Sequence, residues 1–125
     1  MLVDSDILID FTHGDSNAVD WLDRHDVRDS LKLSIVTEME LLVGSQNKAH
    51  MRELIELFSR FETLQIDEQV SAKARQLVED YYLSHGLLIA DSLIAATAIV
   101  FGETLATKNM RDFRFIPELT LAQYP

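Results

Sequence analysis

An α/β fold is expected, a parallel sheet of four to five strands sandwiched between helices, in one domain spanning residues 1–125. Three observations predict it. The chain opens with a short apolar strand that runs straight into an acid, Leu2-Val3-Asp4. Further short apolar segments alternate with amphipathic helical stretches, the pattern that builds right-handed crossovers and a sheet covered on both faces. Residues 90–101 are small and apolar nearly all round, as in a deeply buried helix.

Taken in order, Leu2-Val3 reads as the first strand, and Ile7, Leu8 and Phe11 mark the buried face of a helix ending near Gly14. Ser16 or Asn17 caps a second helix bearing Val19, Trp21 and Leu22. Leu31 to Val36 alternates weakly as a second strand, and Thr37 starts a helix with Met39, Leu42 and Val43 expected inside. From Asn47 to Glu62 the residues Met51, Leu54, Ile55, Phe58 and Phe61 follow the helical period. Leu64-Gln65-Ile66 is the third strand expected, after which Asp67 caps a long helix with Val70, Ala74, Leu77, Val78 and Tyr81 in one stripe. The buried helix from Ala90 stops at Gly102, and Thr104-Leu105-Ala106 and Leu119-Thr120-Leu121 supply the last strands.

Composition narrows the function. There is no cysteine, which excludes disulfides and thiolate metal sites and fits a reducing cytoplasm. No signal peptide is visible, and the longest apolar stretch, Leu93 to Phe101, falls far short of the roughly 20 residues that span a bilayer. Acids outnumber Lys plus Arg by 21 to 11, giving a net charge of −10. Such a surface repels nucleic acid unless cations or a local basic patch intervene, and it suits a basic protein partner.

Ligand chemistry in open α/β sheets belongs at the carboxyl ends of the strands. Asp4 and Asp112 lie just beyond strand ends, Glu40 sits one turn into the helix after strand two, and Asp91 opens the helix after Gly86-Leu87-Leu88-Ile89. Each alone admits a plain role: a helix cap for Asp4 and Asp91, an exposed helix face for Glu40, a polar turn for Asp112. Together they form an acidic set at the same end of the sheet. Converging carboxylates repel, so they take up protons or bind cations. Hard oxygen donors without cysteine or paired histidine favour Mg2+ or Mn2+. Ions so held activate water and neutralise charge on a phosphate, which points to phosphodiester hydrolysis. Lys108, Arg111 and Arg114 flank Asp112 and are candidates to hold an RNA backbone. His13, His25, His50 and His85 lack metal-ligand spacing and read as surface or loop residues.

Four segments carry a family resemblance over nearly the whole chain. They are Leu2-Val3-Asp4-Ser5-Asp6-Ile7-Leu8-Ile9-Asp10, Thr37-Glu38-Met39-Glu40-Leu41-Leu42-Val43-Gly44, Ala90-Asp91-Ser92-Leu93-Ile94-Ala95-Ala96-Thr97-Ala98, and Leu105-Ala106-Thr107-Lys108-Asn109-Met110-Arg111-Asp112-Phe113 followed by Ile116-Pro117-Glu118-Leu119. In order and spacing they resemble a PIN-domain ribonuclease of the VapC toxin type. The resemblance implies a Mg2+- or Mn2+-dependent endoribonuclease with Asp4, Glu40, Asp91 and an acid of the fourth motif as metal ligands. It also implies Ser5 and Thr107 as polar helpers, an RNA substrate such as tRNA, a homodimer, a VapB-like antitoxin and a cytoplasmic location. Two positions depart from the family pattern. Asp6 stands where asparagine is common, and Asn109 where many relatives carry an acid, leaving Asp112 or Asn109 to complete the site.

Rival readings are a haloacid-dehalogenase-like phosphatase, with Asp4 as nucleophile and Asp6 as acid, and a non-catalytic PIN scaffold that binds RNA or protein. The first lacks a later acidic pair. A receiver domain would need a phospho-accepting aspartate at the end of the third strand, where Asp67 is a poor candidate because a helix begins there. Phe58, Phe61, Tyr81 and Tyr82 are expected to leave aromatic surface for a partner.

Overall fold

The first strand is the middle of the sheet. In the computed structural model, which describes residues 1–28 and 30–125, β1 (Leu2–Val3) pairs in parallel with β2 (Lys32–Ser34) on one side and β4 (Leu105–Ala106) on the other. Beyond them lie β3 (Glu62–Leu64) and β5 (Leu121–Ala122), giving a five-stranded parallel sheet in the order β3-β2-β1-β4-β5. The helices are α1 (Ser5–Thr12), α2 (Ser16–Arg28), α3 (Ile35–Val43), α4 (Lys48–Phe58), α5 (Glu68–His85) and α6 (Ile89–Phe101), and a 3-10 turn spans Met110–Asp112. No described helix is long and apolar enough to cross a membrane.

Period-2 alternation divides each strand between two cores. Leu2 and Leu105 pack with Val70, Leu77, Ile94 and Ala95 under α5 and α6. Val3, Leu33 and Ala106 pack with Ile7, Trp21, Leu41 and Phe58 under α1 to α4. A side chain such as Ile94 or Leu33, at most 1% exposed, contributes about 1.5–3 kcal/mol through burial. The helix α6 carries Ala95, Ala96 and Ala98 inside, small enough to let α5 run closely along it. Gly102 then ends α6 at φ +66°, a conformation that a Cβ disfavours.

Several local expectations shift. β2 ends at Ser34, whose hydroxyl accepts the Val36 N–H at 3.1 Å and starts α3 at Ile35, two residues before Thr37. The face of α3 turned to the core carries Val36, Thr37 and Leu41, while Met39 is 48% and Val43 87% exposed. β3 runs over Glu62–Leu64 rather than Leu64–Ile66, because Glu62 pairs with Lys32 and Leu64 with Ser34. Gln65 and Ile66 instead lead to Asp67, which caps α5 through the Val70 N–H at 2.8 Å. Asp15, not Ser16 or Asn17, caps α2, its carboxylate accepting the Ala18 N–H at 3.0 Å. In α4 only Leu54 and Phe58 are buried; Met51 and Ile55 are exposed. Of the aromatic set, Phe58 belongs to the core and Tyr82 alone is exposed.

Candidate active site

The chain leaves β1 toward β2 and returns later to β4 on the opposite side, so the point where strand order reverses lies between β1 and β4. That is where open α/β sheets form a crevice at their carboxyl ends. Asp4 follows β1 and Thr107 follows β4, and the Asp4 N–H donates to the Ala106 carbonyl at 2.9 Å.

Asp4 is the N-cap of α1 and only 6% exposed. Its Oδ1 accepts the Ser5 N–H at 2.8 Å, and the Thr107 hydroxyl lies 2.8 Å from Oδ2. The same hydroxyl is 3.2 Å from Asp6 Oδ2, so one oxygen bridges two carboxylates. Asp6 Oδ2 also accepts the N–H groups of Lys108 at 2.9 Å and Asn109 at 3.2 Å, while its Oδ1 accepts the Ile7 N–H at 2.7 Å. The carboxylate at position 6 thus fastens the loop after β4 to the start of α1. Asn109 enters this arrangement through its backbone, which also donates to the Thr107 hydroxyl at 3.1 Å.

Burial governs the charge state. Desolvation, followed by the charge of Asp6, pushes Asp4 up to about 7 despite the hydrogen bonds from Thr107 and Ser5; Asp91 adds to the rise. Asp6 is also raised, by desolvation, against four hydrogen bonds that favour its charged form. Asp91 is raised by desolvation and then by the charges of Asp112 and Asp6. Glu40 is raised by desolvation and by Asp91. Asp91, in the first turn of α6, is therefore the hub through which Glu40 on α3, Asp112 on the 3-10 turn and the β1 acids feel one another.

No basic side chain offsets this field: among the described residues, neither Asp4, Asp6, Glu40, Asp91 nor Asp112 is in an ion pair. Among the described residues no group of three or more His, Cys, Asp or Glu side chains is placed to hold a metal ion, so the acids offer an open donor set rather than a closed cage. An all-oxygen, open donor set of this kind fits Mg2+ or Mn2+, because Mg2+ gives up its water reluctantly and is held by one or two carboxylates with several waters retained. Thr37, one turn before Glu40, adds a fully buried hydroxyl with no hydrogen-bond partner among the described residues.

The surroundings separate the expected site residues. Asp91 and Asp112 line a cleft of about 320 Å3 together with Arg111, His85, Leu88 and Phe115. Glu40 lines a neighbouring groove of about 200 Å3 with Ile9, His13, His50 and Leu54. Of the basic residues, Arg111 alone shares the Asp91 cleft. The Lys108 ammonium is bound to Asp10 on α1, and Arg114 is exposed. Ser5 contributes its N–H to Asp4, and no hydrogen bond involves its hydroxyl among the described residues. The sequence did not single out Phe115, which lines the Asp91 cleft, or Asp10 as the partner of Lys108. His85, expected at the surface or in a loop, is exposed at the end of α5 and lines the same cleft.

Known proteins share this sequence pattern and this fold. Ribonuclease VapC10 of Mycobacterium tuberculosis is 35% identical over 120 residues, covering 95% of this chain and 90% of the relative. Ribonuclease VapC19 of the same organism is 31% identical over 120 residues, covering 94% and 95%. A toxin–antitoxin complex from Klebsiella pneumoniae superimposes with a TM-score of 0.81 at 26% identity, over 99% of this chain and 98% of that one. FitAcB from Neisseria gonorrhoeae gives 0.78 at 27% identity, over 98% and 96%. Residues 1–119 match the PIN domain, and the chain belongs to that family.

Proposed function

We propose that this protein is a Mg2+- or Mn2+-dependent endoribonuclease and the toxin of a toxin–antitoxin pair, with Asp4, Glu40, Asp91 and Asp112 as its metal-binding and catalytic acids. The observation that carries the reading is Asp4, a buried carboxylate raised to about 7 by desolvation and by other acids, with no cation beside it. Structural acids are paired; a group of acids left unpaired at a sheet's switch point is suited to recruit a cation. Support comes from the similarity to two proteins named ribonucleases and from the likeness to a toxin–antitoxin complex.

When bound, the divalent ion supplies an activated water and neutralises charge developing on the scissile phosphate. The chain's own residues do the positioning. Thr107 orients the Asp4 carboxylate through its hydroxyl, and Asp6 holds the loop that carries Thr107, Lys108 and Asn109 against α1. The raised carboxylates give up their protons as the ion binds, so ion affinity falls as pH is lowered.

A net charge of −10 handicaps a free RNA-cutting enzyme and suits a basic inhibitor. We assign that role to a small VapB-like antitoxin that places an arginine among the acids of a toxin homodimer in the cytoplasm. A guanidinium fork pairs bidentately with carboxylates and takes the place of the ion. The test is cleavage of total RNA, tRNA included, by the purified chain with Mg2+, with EDTA, and with its genomic neighbour added. Cleavage with Mg2+ alone, abolished by either addition, is the expected result. Equal cleavage in all three samples would overturn both the metal and the antitoxin.

A further inference from the structure

His85 ends α5, Phe115 follows the 3-10 turn, and the two rings stack with centroids 4.1 Å apart and planes inclined by 14°. Tyr81 supports the pair, tilted 5.3 Å from Phe115 and edge-on 6.1 Å from His85, and Ser84 Oγ lies 2.7 Å from His85 Nδ1. This is an unusual amount of order for an exposed histidine. Phe115 covers one face of the imidazole, and His85 is exposed and lines the same cleft as Asp91 and Asp112.

Two further features of the same cleft point to a ligand. Leu88 occupies the N-cap of α6, where Ser, Thr, Asp or Asn would bond to the helix; it makes no such bond and is 64% exposed. Arg111 lines the same cleft, is exposed, and forms no ion pair among the described residues. An apolar rim, an exposed imidazole and a free guanidinium within about 320 Å3 match the parts of a nucleotide: base, stacking surface and phosphate.

We propose that His85, Phe115, Leu88 and Arg111 form a subsite that seats one unpaired base of single-stranded RNA, stacked on the His85 ring, beside the phosphate presented to Asp91 and Asp112. The inference rests on the endoribonuclease reading and deepens it. A base inside a helix has its faces covered by neighbours, so the subsite selects loops and single strands. Stacking is sequence-tolerant because every base has a π-face, which makes this subsite a reader of accessibility rather than of base identity. Arg111 supplies the local positive charge that an acidic protein needs at the point of contact.

The test uses a short RNA carrying 2-aminopurine, whose emission falls when it stacks, bound to Asp4→Asn protein in Mg2+ so that the RNA stays intact. Quenching on binding is expected. On that background His85→Ala should remove the quenching and weaken binding about ten-fold, Arg111→Ala should weaken binding about ten-fold and keep the quenching, and His85→Phe should restore both. In cleaving protein the same His85→Ala change should raise KM with kcat largely retained. Quenching that survives His85→Ala, or a His85→Phe variant that stays as defective as His85→Ala, would overturn the stacking assignment. Altered oligomeric state in His85→Ala with unchanged RNA affinity would assign the cleft to contact between copies and also overturn it. Quenching without RNA cleavage by the unaltered chain would remove the nuclease reading and leave the subsite standing.

Discussion

The two ends of the sheet treat acids in opposite ways. At the amino end, Glu103 precedes β4 with a side chain only 14% exposed, and it is surrounded by cations. The Met1 ammonium is 2.9 Å away, and the Lys32 ammonium bonds to the same carboxylate and reaches Glu62 at 3.8 Å. Desolvation alone would raise Glu103, yet the hydrogen bonds from Lys32 and Met1 outweigh it and hold the carboxyl below its usual range. At the carboxyl end, Asp4 is more deeply buried and has no cation, and it is raised to about 7. Desolvation pushes both upward, Asp4 the harder; the partner decides which way Glu103 goes. A buried acid supplied with its cation by the fold is cement, and one left without is a receptor for a cation from outside.

The largest expected effect separates the two ends by activity. Asp91→Asn removes the acid through which the others are coupled and should lower RNA cleavage at least about a hundred-fold, whereas Glu103→Gln should leave cleavage by the folded protein within a few-fold. Steady-state cleavage at saturating Mg2+ checks this. Equal losses in the two variants would break the contrast.

Stability should move the other way. Glu103→Gln leaves Lys32 with Glu62 alone, at 3.8 Å, and the Met1 ammonium without a carboxylate, and should cost about 1 kcal/mol in denaturant unfolding. Asp4→Asn removes an uncompensated charge and should stabilise the metal-free protein by about 2 kcal/mol at pH 8. The pH dependence follows from the same values. Asp4 titrates near 7 when folded and near 3.8 when unfolded, so the stability from its neutral form is complete below about pH 4 and lost as pH rises through about 7. Glu103, held below its usual 4.5, contributes stability above that value that is lost as pH falls through its folded pKa. Metal-free unfolding curves should therefore weaken between about pH 4 and 7 for the natural chain and much less for Asp4→Asn.

Much of this was legible in residue order. Leu2-Val3-Asp4 had to be a strand that delivers an acid, and the apolar run after Asp91 had to be a buried helix, because no other structure hides Ile94, Ala95, Ala96 and Ala98 together. The parallel sheet followed from the alternation of elements. What was hidden depended on distance across the fold. The phase of α3 turned on a Ser34 cap, which put Leu41 inside and Met39 out. The stacking of His85 on Phe115 joins residues thirty apart, and the Lys108–Asp10 pair joins residues ninety-eight apart. The pairing of Glu103 with the chain's first residue is equally remote, so nothing local distinguished that acid from Asp4.

Smaller effects sharpen the comparison at the acidic end. Thr107→Val deletes the hydroxyl that favours the charged forms of Asp4 and Asp6, so both should rise further and Mg2+ affinity at pH 7 should fall about ten-fold. Thr107→Ser should keep it, as a Mg2+ titration of cleavage rate will tell. Lys108→Ala breaks a partly exposed pair with Asp10 and should cost under about 1 kcal/mol. A larger loss of stability there would mean that the loop depends on that lysine rather than on Asp6.

Central to the account is that the unpaired acids hold a divalent ion and the paired one does not. Mn2+ binding to the RNA-free protein, followed by the electron paramagnetic resonance of the free ion, reads this without reference to activity. The account predicts binding to the unaltered chain and to Glu103→Gln with equal affinity, tightening from pH 6 to pH 8, and at least ten-fold weaker binding to Asp4→Asn and Asp91→Asn. Binding left unchanged by both aspartate substitutions, or independent of pH, would contradict it.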